Sequence, residues 1–320
     1  MIRTTVVIPV YNGIDFLDDC LKSVFASNTD VKVIVVDNGS EDGSCEFVEK
    51  NYPLVKLIRF DENKGFSKAV NAGIAAADTE FVFLLNDDAT INEDVISILE
   101  KDMDDDPKLF SVQAKMLQKN APSLVDSVGD NYCLLGWAYA VGKDKDESKF
   151  QGIRSVFSAC AGASLYRREV FGKIGCFDVR HFAYLEDVDI GYRALVNGYL
   201  NKADMRAIAY HVGSGTSGSR YNEFKVSLSA RNSVYIIYKN MPLLQVLINL
   251  PFFFVGFATK TVFFIKKGFG KAYVEGLLKG VGMCFGRRAR KRKTKFKAER
   301  LSTYIAIQVL LFVNVLRRFL

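Results

Sequence analysis

Phe81-Val82-Phe83-Leu84-Leu85-Asn86-Asp87-Asp88 is a run of apolar residues that ends in one amide and two carboxylates. The run does not alternate apolar with polar, so it reads as a strand covered on both faces rather than one with a wet face. Similar runs rich in β-branched residues occupy 4–10, 31–37, 55–60 and 110–117. Helical patterns separate them at 14–26, 42–51, 67–77 and 92–102. Buried strands joined through helices predict an α/β fold with a mostly parallel central sheet and helices on both faces. In such sheets ligands bind beyond the carboxyl ends of the strands. The polar residues that follow each run are therefore the candidate site: Tyr11-Asn12, Asp37-Asn38, the segment 61–65, and Asn86-Asp87-Asp88.

Composition narrows the class. The chain has 320 residues, is 49% hydrophobic and contains only 6 Pro, which excludes disordered and collagen-like structure. Its cysteines (20, 45, 133, 160, 176 and 284) are widely spaced with no Cys-x-x-Cys pair. That spacing excludes a zinc ribbon, argues against a disulfide scaffold and fits a reducing compartment. Met1 leads almost directly into the first strand, so no secretory leader is expected. No internal repeat is present.

Charge divides the chain in two. Residues 1–240 hold 27 Lys and Arg against 34 Asp and Glu, whereas 241–320 hold 16 against 2. The expected organisation is a catalytic-sized body at 1–240 and a basic, hydrophobic helical tail at 241–320. In the tail, residues 243–265 are long and apolar enough to span a bilayer, with Gln245, Asn249, Thr259 and Lys260 on one arc. Then comes Arg287-Arg288-Ala289-Arg290-Lys291-Arg292-Lys293. In 301–320, Ser302, Thr303, Asn314, Arg317 and Arg318 share a face and Gln308 strays from it. Basic residues at both ends of this last helix suit lying in a membrane interface better than crossing it. The alternative is a buried core helix with a solvated basic run.

Three groups of residues can carry chemistry. Adjacent carboxylates repel, and a hard divalent cation beside Asp87-Asp88 relieves that; a helix N-cap is the alternative use. Glu186-Asp187-Val188-Asp189 follows the aromatic Phe182 and Tyr184, and Arg193 stands one helical turn beyond Asp189. Such a cluster can yield a general base, or it is a solvated acidic helix start. His211 ends the apolar stretch 207–210, either as a ligand or as a structural residue. The glycine-rich segment 213–218 resembles a phosphate loop only loosely, because it lacks the Gly-Lys-Ser/Thr ending. No Gly-x-Gly-x-x-Gly follows the first strand, so a dinucleotide site is not expected. Between 122 and 152 the pattern is loop-rich around Trp137. Residues 156–166 read as a strand, with a helix beginning at Arg167.

In order along the chain, these motifs resemble the inverting family 2 glycosyltransferases of GT-A fold. The resemblance rests on Val7-Ile8-Pro9-Val10-Tyr11-Asn12-Gly13, Val35-Val36-Asp37-Asn38-Gly39-Ser40, Asn63-Lys64-Gly65-Phe66 with Asn71-Ala72-Gly73, and Leu84-Leu85-Asn86-Asp87-Asp88. Gly175-Cys176-Phe177-Asp178, Tyr184-Leu185-Glu186-Asp187-Val188-Asp189 and His211 continue it, and Arg231-Asn232-Ser233 is similar to the rhamnosyltransferase-like branch. The resemblance implies that Pro9, Tyr11, Asn12, Asp37, Asn38, Lys64, Gly65, Asn86 and Asp87 bind a nucleotide-sugar donor, with Asp37 accepting from the base ring. It implies a Mn²⁺ or Mg²⁺ ion at Asp88 and His211, where Asn86 replaces the first carboxylate of the Asp-x-Asp pattern. It implies Asp187 as catalytic base with Glu186 beside it. The acceptor implied is a lipid-linked sugar or a polysaccharide at the cytoplasmic face of the membrane, and dTDP-rhamnose is one donor used in that branch. A catalytically inert sugar-nucleotide-binding or scaffold protein of the same fold is the rival reading. Nucleic acid is not an expected partner, since the basic cluster lies between apolar helices rather than among exposed, stackable aromatics.

Overall fold

The computed structural model describes residues 1–213 and 221–319. Its first half alternates strand and helix: β1 (Thr4–Val10), α1 (Ile14–Phe25), β2 (Val31–Asp37), α2 (Ser44–Asn51), β3 (Lys56–Arg59), α3 (Phe66–Ala76) and β4 (Phe81–Leu85). Then follow β5 (Ala89–Ile91), α4 (Val95–Asp105), β6 (Leu109–Gln118), β7 (Ala121–Ser127), β8 (Asp130–Tyr132), β9 (Ala138–Ala140) and β10 (Ile153–Ser155). The body closes with β11 (Ala163–Arg167), α5 (Arg168–Ile174), α6 (Glu186–Val196), β12 (Leu200–His211) and α7 (Glu223–Asn240). Beyond it lie α8 (Leu243–Lys266), α9 (Gly270–Met283), α10 (Arg287–Arg292) and α11 (Leu301–Phe319).

The main path of the sheet runs β10-β12-β6-β11-β4-β1-β2-β3. The pairs β1–β2, β1–β4, β2–β3 and β6–β12 are parallel. β11 lies antiparallel between β4 and β6, and β5, β7 and β10 are also antiparallel additions. The parallel half is the one announced by the unbroken apolar runs. Every residue of β1 and of β4 is buried, as a strand with helices on both faces requires.

One sequence expectation shifts. The segment 156–166 is strand only from Ala163; Val156 instead donates to the Asn201 carbonyl at 3.0 Å, and Phe157 and Ser158 to that of Asp130 at 3.1 Å. Long-range pairing with β8 and the start of β12 thus takes this backbone out of the ladder, which local apolar character could not reveal.

The segment 241–320 is packed onto the body. A third hydrophobic cluster combines Tyr132, Phe157, Tyr192 and Ile236 with Phe253, Tyr304, Ile307 and Leu311. Trp137 Nε1 donates to the Gly256 carbonyl at 3.1 Å, and Leu134 N to the Leu311 carbonyl at 3.0 Å. Of the polar residues on the two long helices, Gln245, Asn249 and Asn314 face inward, whereas Thr259, Ser302, Arg317 and Arg318 are exposed. Asn249 and Asn314 are fully buried, and Gln308 bonds to both Asn249 and Gln245. On 301–320 the expected polar face stays exposed at Ser302, Arg317 and Arg318, while Asn314 is buried and Gln308 joins the inner polar network. Large apolar residues also face outward: Leu243, Leu247, Leu250 and Phe254 on α8, and Leu301, Ile305, Val309 and Phe312 on α11.

Candidate functional site

A cavity of about 850 Å³ opens at the carboxyl ends of β1, β2 and β4. Pro9 and Tyr11 line it from β1, Asn38 from β2, Asn86, Asp87 and Asp88 from β4, and Glu186 and Asp187 from the start of α6. His211 enters from the end of β12 because that strand pairs with β5 in the register His211–Ala89, which sets it beside Asp88.

The contact is direct: His211 Nε2 lies 3.0 Å from Asp88 Oδ1. On the other side of the ring, Nδ1 lies 2.9 Å from Asp126 Oδ2, and Lys143 is ion-paired with the same Asp126. Burial opposes a charge on His211, but the bonds to Asp126 and Asp88 outweigh it and push the imidazole up to about 10. The Asp88–His211 contact is a charge-assisted hydrogen bond; a divalent cation would take the place of its proton, and the 3.0 Å separation matches that of neighbouring ligands about 2.1 Å from an octahedral ion. Asp126 would orient the ring, as a carboxylate behind a ligating histidine usually does. The helix-cap alternative for Asp88 is closed, since α4 begins after Asp94. Asp87 is buried, and burial followed by repulsion from Asp88 pushes its carboxyl up to about 7.

A second group lines the same cavity. One oxygen each of Asp130 and Asp187 and the Cys160 sulfur all lie within 4.8 Å of one another. Gly191 permits this approach: a Cβ there would come within 2.4 Å of Ser158 Cβ, so only glycine lets α6 close on the 156–160 segment. Asp187 Oδ1 accepts from the Val188 N–H at 2.7 Å. Burial raises the Asp187 carboxyl, and burial with the nearby Asp187 charge raises that of Asp130 well above the carboxylate range. Burial also holds the Cys160 thiol protonated. At this group a cation would have to displace the thiol proton and the proton shared by the carboxyl pair, whereas at Asp88–His211 only the imidazole proton has to leave. Glu186 is buried with Oε2 unpartnered, and burial raises its carboxyl as well.

The approach to α6 is strained. Phe182, Tyr184 and Leu185 have φ of 64°, 67° and 67°, a region costing non-glycine residues roughly 1–2 kcal/mol each. Asn232 and Arg231 hold this loop: Asn232 Nδ2 reaches the carbonyls of His181, Ala183 and Tyr184 at 3.0, 2.9 and 2.7 Å, and Arg231 Nη2 that of His181 at 2.7 Å. Gly65 (φ 86°) packs against the Phe182 ring, where a Cβ would meet it at 2.6 Å. The strain is offset by these contacts, and it aims Glu186 and Asp187 into the cavity.

Other candidates stand off the cavity wall. Asp37 is buried and accepts from the Ser40 N–H at 3.3 Å. Asn12 accepts from the Glu41 N–H at 2.8 Å. Lys64 lies over the Phe60 ring, and Gly65 serves the loop contact above. These residues shape the turns that present Tyr11, Asn38 and Asn63 to the cavity. Asp189 is structural: it is fully buried and paired with Arg193, Lys239 and Asn240. The glycine-rich segment 213–218 lies outside the described residues from 214 onward. Sequence reasoning missed Asp126, Asp130 and Lys143, which sit in the loop-rich stretch. The only signal for Asp126 and Asp130 was charge inside an otherwise uncharged run, and Lys143 had none, since it opens the charged stretch 143–149.

Comparison with known proteins decides the family. The family model "Glycosyl transferase family 2" matches residues 5–175. The chain belongs to glycosyl transferase family 2. This family 2 chain is 28% identical over 203 residues to an N-acetylglucosaminyl-diphospho-decaprenol L-rhamnosyltransferase of Mycobacterium tuberculosis, covering 55% of this chain and 64% of that one. It is 23% identical over 223 residues to a poly-beta-1,6-N-acetyl-D-glucosamine synthase of Staphylococcus aureus, covering 68% of this chain and 52% of the synthase. It thus spans about half the length of that relative. Among solved structures, S. aureus TarS 1–349 in complex with UDP-GlcNAc superposes with a TM-score of 0.58 at 16% identity, covering 96% of this chain and 91% of that one. A mannosyltransferase of Pyrobaculum calidifontis in complex with GDP-Man and Mn²⁺ gives 0.55 at 16% identity, over 96% and 87%. These likenesses establish the GT-A fold of the family 2 chain.

Proposed function

We propose that this family 2 chain is an inverting glycosyltransferase that moves a sugar from a nucleotide-diphosphate donor to a hydroxyl of a lipid-linked or glycan acceptor. The observation that carries it is one cavity holding both an Asp88–His211 pair with cation-ligand spacing and the carboxylate of Asp187. Pro9, Tyr11, Asn38, Asn86 and Asp87 bind the donor along the strand ends. A divalent cation, when bound by Asp88 and His211, supplies Lewis-acid neutralisation of the leaving diphosphate. Asp187 accepts the proton of the acceptor hydroxyl as its oxygen forms a bond to C1 of the sugar. The C1–phosphate bond breaks on the opposite face, so a single displacement inverts the anomeric centre. Glu186 stays neutral beside the base and limits the charge there.

The acceptor is met at the cytoplasmic face of a membrane. Support comes from the outward apolar residues of α8 and α11 and from the largely exposed basic helix α10, which an anionic leaflet attracts. The rhamnosyltransferase relative favours an L-rhamnosyl donor such as dTDP-rhamnose.

The test is a thermal-shift panel of UDP-GlcNAc, GDP-mannose and dTDP-rhamnose, each with and without Mn²⁺. A ligand bound only by the folded state raises stability by about 2.7 kcal/mol at a hundred times its dissociation constant. A Mn²⁺-dependent shift with one donor, followed by release of its nucleoside diphosphate, is expected. Binding without any release of nucleoside diphosphate would leave a scaffold protein instead.

A further inference from the structure

We propose that Asp130 is the positioning residue for the base Asp187: it holds the shared proton of the pair and donates it in a hydrogen bond to Asp187, which orients that carboxylate toward the acceptor hydroxyl. This inference rests on the assignment of Asp187 as base.

Geometry carries it. Asp130 lines the same cavity, and its carboxylate oxygen lies with that of Asp187 in the cluster spanning 4.8 Å. One Asp187 oxygen is already engaged by the Val188 N–H. The side chain is therefore held from its own backbone and from Asp130. Asp130 is itself fixed: its N–H donates to the Ser158 carbonyl at 2.9 Å, and its own carbonyl accepts from Phe157 and Ser158 at 3.1 Å. The β8–β9 hairpin that bears it is pinned from outside by α11. Asn314 Nδ2 donates to the Tyr132 carbonyl at 2.9 Å, and Tyr139 Oη to the Asn314 carbonyl at 2.6 Å. Asp130 is thus rigid enough to orient a neighbour.

The surroundings decide which member keeps the proton. Asp130 meets the charges of Asp187 and Asp126, with neutral Glu186 nearby, and Cys160 lies beside it. Asp187 has the Val188 N–H, the hydrogen bond from Asp130 and the charge of His181 to favour its ionised form, against burial. Like carboxylates this close cannot both ionise cheaply, and the one with more donors ionises first. Asp187 is that one. At high pH the loss of the Asp130 proton sets two charges against each other and removes the orienting bond.

The experiment compares Asp130→Ala, Asp130→Asn and Asp187→Asn in the full chain. The assay is Mn²⁺-dependent release of nucleoside diphosphate from UDP-GlcNAc and from dTDP-rhamnose, read as kcat and donor KM across pH. Donor-induced thermal shifts serve as the folding control. Asp130→Ala should lower kcat by about tenfold or more while donor KM changes by less than about twofold. Asp130→Asn, which keeps a donor but cannot ionise, should recover most of that loss and lack the alkaline fall in kcat of the wild type. Infrared difference spectra at neutral pH, wild type minus Asp130→Asn, should show the C=O stretch of a protonated carboxyl group in the absence of metal and donor. Equal kcat–pH profiles for the wild type and both Asp130 variants, or no protonated-carboxyl band, would overturn the inference. Wild-type rates in Asp187→Asn would instead overturn the assignment of the base.

Discussion

Asn249 on α8 and Gln308 on α11 hold each other through a reciprocal pair of amide hydrogen bonds, Asn249 Nδ2 to Gln308 Oε1 at 3.0 Å and Gln308 Nε2 to Asn249 Oδ1 at 2.7 Å. Gln245 adds a bond to the same Gln308 oxygen at 3.0 Å, and Tyr192 of the body donates to Gln245 at 2.6 Å. Buried amides of this kind are costly unless every partner is in place. Here they lock the two longest apolar helices to each other and to α6, while many of their apolar side chains, such as Leu247, Phe254, Ile305 and Phe312, remain exposed.

That exposed apolar surface predicts membrane attachment. The full chain should sediment with membranes, resist a high-salt wash and come off in detergent, because apolar burial is not screened by salt whereas attraction of α10 is. The triple substitution Leu247→Glu, Leu250→Glu and Phe254→Glu changes one exposed face of α8 and leaves the inner amides intact. It should shift the protein to the soluble fraction. Full-length protein that is freely soluble without detergent would refute this. Truncation after 240 is the poorer test, since it strips Phe253, Tyr304, Ile307 and Leu311 from a core shared with Tyr132 and Tyr192.

Asp187→Asn should abolish transfer with donor binding nearly unchanged. The amide keeps the shape of the side chain and cannot take a proton, and losing a general base costs at least ~10²-fold. Steady-state kinetics together with donor-induced thermal shifts check it; turnover like the wild type would remove Asp187 from this role.

Asp88→Ala should weaken Mn²⁺-dependent donor binding, and EDTA should lower wild-type turnover. His211 would keep Asp126 as partner but lose the ligand 3.0 Å away. Isothermal titration of the donor with and without Mn²⁺ measures the effect. Unchanged donor affinity in both would show that Asp88 holds no cation.

Asp178 should be an acid-sensitive anchor of the tail. It pairs with Lys239 at 3.0 Å and with Arg292 of α10, and accepts from Tyr235 at 2.9 Å. Burial alone would raise its carboxyl, but Lys239 leads the groups that hold it down at about 2. A carboxyl lowered in the folded state stabilises above its unfolded value near 4 and ceases to do so as pH falls through 2, a contribution of about 2 kcal/mol. Asp178→Asn should therefore lower the urea midpoint at neutral pH, and the gap to wild type should close near pH 2. A gap independent of pH would contradict it.

The sequence by itself determined the parallel half of the sheet and the strand ends that bear the site. Unbroken apolar runs such as 81–85 have nowhere to go but between helices, and β1 and β2 fall at 4–10 and 31–37 as their patterns require. It also determined that Asp88 and Asp187 lie among the cavity's polar residues, through the ordered motifs around them. Only the tertiary structure decided the rest. The approach of His211 to Asp88 comes from the antiparallel β5–β12 ladder, a long-range pairing with no local signature. Asp126 and Asp130 lie in a stretch without periodicity, and their roles arise from what folds against them. In the tail, periodicity shows which residues share a helix face but not which face meets the protein. Packing settled that, because Gln245, Asn249, Gln308 and Asn314 find their hydrogen-bond partners inside, leaving many apolar residues of α8 and α11 to face outward.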